Sequence, residues 1–138
     1  MSIDFPKNWK QVVLEDALDA LIDYRGKTPK KVDKGIPLIT AKVVKSGRIL
    51  PMDEFIADED YESWMVRGIP QISDIVVTTE APLGEVAQIK NANVALAQRI
   101  VTLRGKVDFL ENDFLLFLMQ FFLGDFFFFF FFFFFFFF

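Results

Sequence analysis

The chain has no cysteine and no histidine among its 138 residues. No disulfide framework is available, and neither is a zinc site built from thiolate or imidazole. Cys–His and Ser–His–Asp catalysis are excluded within this chain. The absence of cysteine fits a reducing compartment, so we expect a cytoplasmic protein. The N-terminus, MSIDFPKNWKQVVLEDALD, lacks an apolar run behind a basic start and does not read as a secretory signal. No Gly-x-x-x-x-Gly-Lys or Gly-x-Gly-x-x-Gly phosphate loop occurs. Nor is there an Asn-Pro-Pro-aromatic or Asp-Pro-Pro-aromatic stretch of the sort amino-methyltransferases use to hold a flipped base.

What is present is a concentration of positive charge. Tyr24 to Arg48 holds eight basic residues (Arg25, Lys27, Lys30, Lys31, Lys34, Lys42, Lys45, Arg48) against one acid, Asp33. That gives a local charge of +7 in a chain of formal charge -4. Gly26, Pro29, Gly35, Pro37 and Gly47 punctuate the stretch, which predicts loops and short strands. Such a segment can follow a row of phosphates. The plainer reading is a solvated, lysine-rich loop. Six acids fall in Asp53–Glu62, apart in sequence from the basic residues. The chain's acidity therefore leaves local DNA contact open, because fields are screened within about 8 Å at physiological salt.

The last thirteen residues, Phe126 to Phe138, are all phenylalanine. As a helix they would span roughly 20 Å, short of a hydrocarbon core of about 30 Å. They lack an aromatic belt distinct from the span and a basic anchor after it. We read the run as artefactual, the product of a single repeated nucleotide, and expect no membrane association. Residues 1–123 are then one domain with a single core, and 124–138 stand apart.

Along the domain, Trp9–Leu14 reads as a short strand and Glu15–Ile22 as a short helix with Ala17, Leu18, Leu21 and Ile22 on one face. Ile36–Thr40 and Ala41–Val44 are predicted strands, with Pro37 implying an edge or a strand start. Ser46-Gly47 is a predicted turn and Asp58–Trp64 a short acidic helix or turn. Ile75–Thr79 is β-branched throughout, the composition of a buried strand. A turn at Ala81–Gly84 and a strand at Glu85–Ile89 follow, so the pair should be a hairpin or two neighbouring strands. Val94–Ala97 and Arg99–Leu103 supply two more strands. Asn112 is the expected N-cap of an apolar helix, Phe114–Leu123. The fold class is thus a mostly β, mixed α+β domain with short helices.

Two carboxylates, Asp74 and Glu80, flank the Ile75–Thr79 strand, with Lys90 downstream. They invite a metal-dependent nuclease reading in which carboxylates hold Mg²⁺ and the lysine activates water. Ordinary turn residues at strand ends are the plainer reading. A third reading is a partner-binding domain that never meets DNA and uses the apolar helix as an oligomerisation face.

Five stretches in order carry a resemblance: YRGKTPKK (Tyr24–Lys31), GIPLITAKVVKSGRI (Gly35–Ile49), FIADEDYESWM (Phe55–Met65), RGIPQISDIVVTTEAPLGEVAQI (Arg67–Ile89) and VALAQRIVTLRGK (Val94–Lys106). Together they resemble the target-recognition domain of the specificity subunit of type I restriction-modification systems, over roughly residues 9–120. Ser73-Asp74 stands where the family has a Gly-Asp pair. The resemblance implies a non-catalytic DNA-binding component. Such subunits usually carry two recognition domains, each reading half of a split sequence, spaced by long helices in an antiparallel coiled coil. They dock methyltransferase subunits, which modify adenine with S-adenosylmethionine, and translocase-nuclease restriction subunits, which use ATP and Mg²⁺. No cofactor is expected in this chain itself. One recognition domain and no spacer helix suggest a truncated subunit, or the first portion of one.

Under that resemblance Arg25, Lys27, Lys30 and Lys31 are expected to contact phosphates, which position a domain without reading sequence. Lys42, Lys45 and Arg48 are expected to do the same or to reach a base edge, where arginine favours guanine. Thr28, Thr79, Glu80, Gln98 and Arg99 are candidate polar readers: Glu80 for a cytosine amino group, Gln98 for adenine. For each, an ordinary turn or strand-end residue is the plainer reading. Tyr24, Phe55 and Trp64 read as packing residues rather than base-stacking platforms.

Overall fold

The computed structural model describes Asp4 and residues 6–125; the phenylalanine run from Phe126 lies outside the described residues. In chain order the elements are α1 (Leu14–Ala17), β1 (Leu18–Asp23), β2 (Lys31–Val32), β3 (Ile36–Ile39), β4 (Val44–Lys45), β5 (Arg48–Ile49), β6 (Phe55–Ile56), α2 (Tyr61–Trp64), β7 (Ile75–Thr79), β8 (Leu83–Gln88), β9 (Ala95–Leu96), β10 (Ile100–Gly105) and α3 (Asn112–Asp125). The domain is mostly β with short helices, a mixed α+β fold.

A four-stranded antiparallel sheet, in the order β1-β10-β7-β8, forms the centre. Its side chains alternate between two cores, as the period of a strand requires. Ile75, Val86, Val101 and Leu103 face one side, where Leu115 and Met119 of α3 cover them. Val76, Ala87 and Ile100 face the other side and join Leu38, Ile39, Ile56 and Leu96. Those last four come from a second, mixed sheet ordered β2-β6-β3-β9. The sheet is therefore buried on both faces, which is why Ile75–Thr79 carries an unbroken β-branched run.

Several expectations are corrected at the N-terminal end. Trp9–Val13 forms no strand, and the predicted helix over Glu15–Ile22 shrinks to the single turn of α1. An isolated one-turn helix gains little by itself. Leu18–Asp23 instead pairs with β10 from Leu18↔Gly105 to Asp23↔Val101. A bulge between Leu18 and Ala20 turns Leu18 into the α3-side core and Ile22 into the other. Ala41–Val44 is also not a strand throughout: Ala41–Val43 is a 3-10 turn, and only Val44 enters a ladder.

Pro37 sits second in β3, which has neighbours on both sides. Register reconciles this with its missing N–H. Ile36 and Pro37 pair only with β6, and the parallel partner β9 begins at Leu38. The predicted Ser46-Gly47 turn is present with φ of 52° and 79°, both left-handed. That is the backbone of a type I′ hairpin turn, and it joins β4 to β5.

The predicted N-cap at Asn112 moves by one residue. The Leu115 N–H donates to the Glu111 carbonyl at 2.9 Å, so Glu111 holds the capping position. The Asn112 side-chain oxygen instead accepts from the Gly105 N–H at 2.8 Å, tying α3 to the end of β10.

Candidate nucleic-acid interface

Antiparallel pairing decides which loops meet. The end of β1 lies beside the start of β10, through Asp23↔Val101. The start of β10 lies beside the end of β7, through Ile100↔Thr78. The end of β7 lies beside the start of β8, through Thr79↔Leu83. Consequently the loop carrying Arg25, Lys27 and Thr28, the turn carrying Thr79 and Glu80, and the approach carrying Gln98 and Arg99 all leave one end of the same sheet. The Thr79 N–H donates to the Arg99 carbonyl at 2.9 Å. Arg99 Nε stands 3.4 Å from Glu80 Oε1 across the same junction.

The β4–β5 hairpin joins this end from the β8 side. The Ser46 N–H donates to Glu85 Oε2 at 2.9 Å, and Glu85 is the third residue of β8. Lys45 and Arg48 flank that turn, exposed.

The basic stretch is more neutralised than its sequence suggests. Arg25 pairs with Asp23 at 2.6 Å. Lys31 pairs with Glu54 at 2.8 Å. Lys42 lies 3.0 Å from both Asp53 and Glu54. The first acids of the acidic tract thus fold back onto the basic one. Their mutual hydrogen bonds hold the Lys42 ammonium above its ordinary pKa and the Asp53 and Glu54 carboxyls below theirs; for Glu54 the bond from Lys31 is the largest cause, followed by that from Lys42. Among the described residues Lys27, Lys30, Lys34, Lys45 and Arg48 have no ion-pair partner, and all five are exposed. Lys30 borders a shallow depression with Pro29, Ile56, Asp60, Ser63 and Trp64.

The carboxylates of the nuclease reading do not converge. Asp74 and Glu80 stand at opposite ends of β7, roughly 20 Å apart at strand rise. Asp74 is fully buried and gripped by Arg104, and its second oxygen also accepts the Gln71 N–H at 2.8 Å. Lys90 donates to the Gln88 side chain. Among the described residues no group of three carboxylates is placed to hold a metal ion. No helix among them is long and apolar enough to cross a membrane.

Packing roles for Tyr24 and Trp64 hold. Tyr24 is buried, and its ring stacks on Trp64 at 5.3 Å with 25° between planes. Sequence reasoning missed Arg67, which reads as one member of a turn. Its guanidinium lies over the Tyr24 ring and donates to the backbone carbonyls of Asp23, at the end of β1, and Arg25, in the basic loop. Only long-range proximity, invisible in a linear pattern, could have singled it out.

No family model and no curated protein matches the chain. Among solved structures it is similar to the HsdS subunit from Thermoanaerobacter tengcongensis, with a TM-score of 0.68 at 17% identity, over 89% of this chain and 30% of that one. It is also similar to a chain from work on the structural basis of complex assembly and conformational transition of the type I R-M system, with a TM-score of 0.66 at 18% identity, over 86% of this chain and 28% of that one. The chain thus spans less than a third of the length of these neighbours. At such identities the likeness is one of fold: this domain has the architecture of part of an HsdS subunit.

Proposed function

We propose that residues 1–123 form a sequence-specific DNA target-recognition domain of a type I restriction-modification specificity subunit. The observation that carries this reading is the convergence of three sequence-distant polar loops at one end of the central sheet, within a fold shared with HsdS. Phosphate contacts come from the unpaired cations Lys27, Lys30, Lys45 and Arg48, with Arg25, Lys31 and Lys42 partly neutralised at their margin. Base reading falls to Thr28, Thr79, Glu80, Gln98 and Arg99. The chain itself is non-catalytic and needs no cofactor. It directs adenine methylation and DNA cleavage by methyltransferase and restriction subunits, to which S-adenosylmethionine, ATP and Mg²⁺ belong. A cytoplasmic location follows from that partnership.

The test is selection of the full-length chain on a randomised duplex pool, followed by titration of the enriched duplex across salt. Enrichment of a short motif is expected, with affinity falling steeply as salt rises. Lys27→Ala should reduce the salt slope by about one unit. Absence of duplex binding at low salt by a correctly folded chain would sink the reading. Mg²⁺-dependent cleavage lost in Glu80→Ala, at an exposed side chain, as well as in Asp74→Ala would replace it with the nuclease reading.

A further inference from the structure

The basic loop is fastened at its root by a buried tyrosine and by an arginine from a turn more than forty residues on. The Tyr24 hydroxyl donates to the Gly68 carbonyl at 2.9 Å and accepts the Arg67 N–H at 3.0 Å. Arg67 Nη1 donates to the Asp23 carbonyl at 2.8 Å and the Arg25 carbonyl at 3.0 Å. The guanidinium carbon stands 5.9 Å from the Tyr24 ring centre, within cation–π range. Beneath, Trp64 stacks on Tyr24, and Trp64 Nε1 donates to the Leu96 carbonyl at 2.9 Å. The segment from α2 to Gly68 is thus anchored to β9 and clasps the exit of β1. Two carbonyls, that of Asp23 at the end of β1 and that of Arg25 in the loop, accept from one guanidinium nitrogen. This fixes the backbone immediately ahead of Lys27, whose N–H closes the turn on the Tyr24 carbonyl at 3.4 Å.

We infer that Tyr24 and Arg67 are positioning residues that hold the Arg25–Thr28 loop in its DNA-binding shape, an inference that rests on the DNA-recognition reading above. Tyr24 is 1% exposed and cannot touch a duplex. Arg67 donates to the backbone on either side of Tyr24, so it contributes order to the loop beside its charge. Holding a loop in its bound conformation before binding removes the ordering cost at the moment of contact. The clasp therefore raises affinity through Lys27 and Thr28 without adding a contact of its own.

Tyr24→Phe is the discriminating substitution. It removes both hydroxyl hydrogen bonds, keeps the ring stacked on Trp64 and changes no charge. Arg67→Gln is the second variant, at an exposed side chain. In the full-length chain, trypsin cleavage after Arg25 and Lys27 should run about tenfold faster in both variants, at temperatures well below melting. Duplex affinity should fall about tenfold in both. Lys27→Ala should then cost little when added to either, because the unfastened loop no longer presents that lysine. Cleavage rates equal to wild type, or affinity losses that add fully with Lys27→Ala, would overturn the positioning role while leaving DNA recognition intact. Faster cleavage in a chain that binds no duplex even as wild type would overturn the DNA reading instead, and with it the role assigned to the clasp.

Discussion

Arg104 grips Asp74 with two parallel hydrogen bonds, Nε to Oδ1 at 2.7 Å and Nη2 to Oδ2 at 2.8 Å. The carboxylate is fully buried and the guanidinium partly so, its side chain 16% exposed. Hydrogen bonding to Asp74 holds Arg104 above its already high pKa. Removing one partner strands the other's charge, so Asp74→Ala should destabilise the fold by about 3 kcal/mol. Chemical denaturation would read this directly. A variant of wild-type stability would return Asp74 to the pool of functional carboxylates.

Glu54 restrains two lysines at once. Glu54→Gln should free Lys31, and together with Asp53→Asn also Lys42, and steepen the salt dependence of duplex binding by roughly one unit for each phosphate newly met. An unchanged slope places both lysines away from the duplex.

The same carboxylate sets an acid limit. Its folded pKa lies below the ordinary value of 4.5 because Lys31 and Lys42 bond to it. The stability it contributes is present above that value and is lost as pH falls through the lower folded one. Glu54→Gln should flatten this part of the stability–pH profile, with little change near neutrality in its shape. An identical acid limb in the variant would assign that loss to other carboxylates.

Thr102 Oγ1 is buried in the centre of β10, and no protein group among the described residues bonds to it. Thr102→Val should stabilise the domain by about 1 kcal/mol, since it removes an unsatisfied hydroxyl at nearly constant shape. The expected signature is a higher denaturant midpoint with an unchanged slope. A loss of stability would show that the hydroxyl is satisfied in solution.

Gly35 has φ of 152°, and a methyl group there would lie 2.0 Å from the Ile56 carbonyl oxygen. Gly35→Ala should cost about 2–3 kcal/mol or more, through strain and forced separation of β3 from β6. A melting temperature within error of wild type would mean that this close approach relaxes freely.

The central strands were legible because Ile75–Thr79 and Ile100–Leu103 must satisfy two cores, which leaves a dense β-branched trace. Leu18–Asp23 was misread because its spacing suits one face of a helix equally well. Its strand state is imposed by β10, more than seventy-five residues later in the chain. The basic loop was visible as charge, but its partial neutralisation was not. Asp53 and Glu54 look like the start of a separate acidic tract until β6 brings them beside Lys31 and Lys42. The convergence of Thr28, Thr79 and Arg99 depended on register, which no local pattern encodes.

The place of β10 between β1 and β7 also governs the order of assembly during synthesis. β1 is made early, yet its only ladder partner among the described residues begins at Ile100. At about 5–20 residues per second, the first strand waits roughly 4–15 s on the ribosome for that partner. The second hairpin strand, β8, reaches β7 within that interval, so within the central sheet the β7–β8 hairpin is the first ladder available to fold. Any pause or break before Ile100 leaves β1 without a ladder, so the exit of β1 that carries Arg25 and Lys27 hangs from an unpaired strand while the later part of the basic stretch already pairs through β2–β6 and β4–β5.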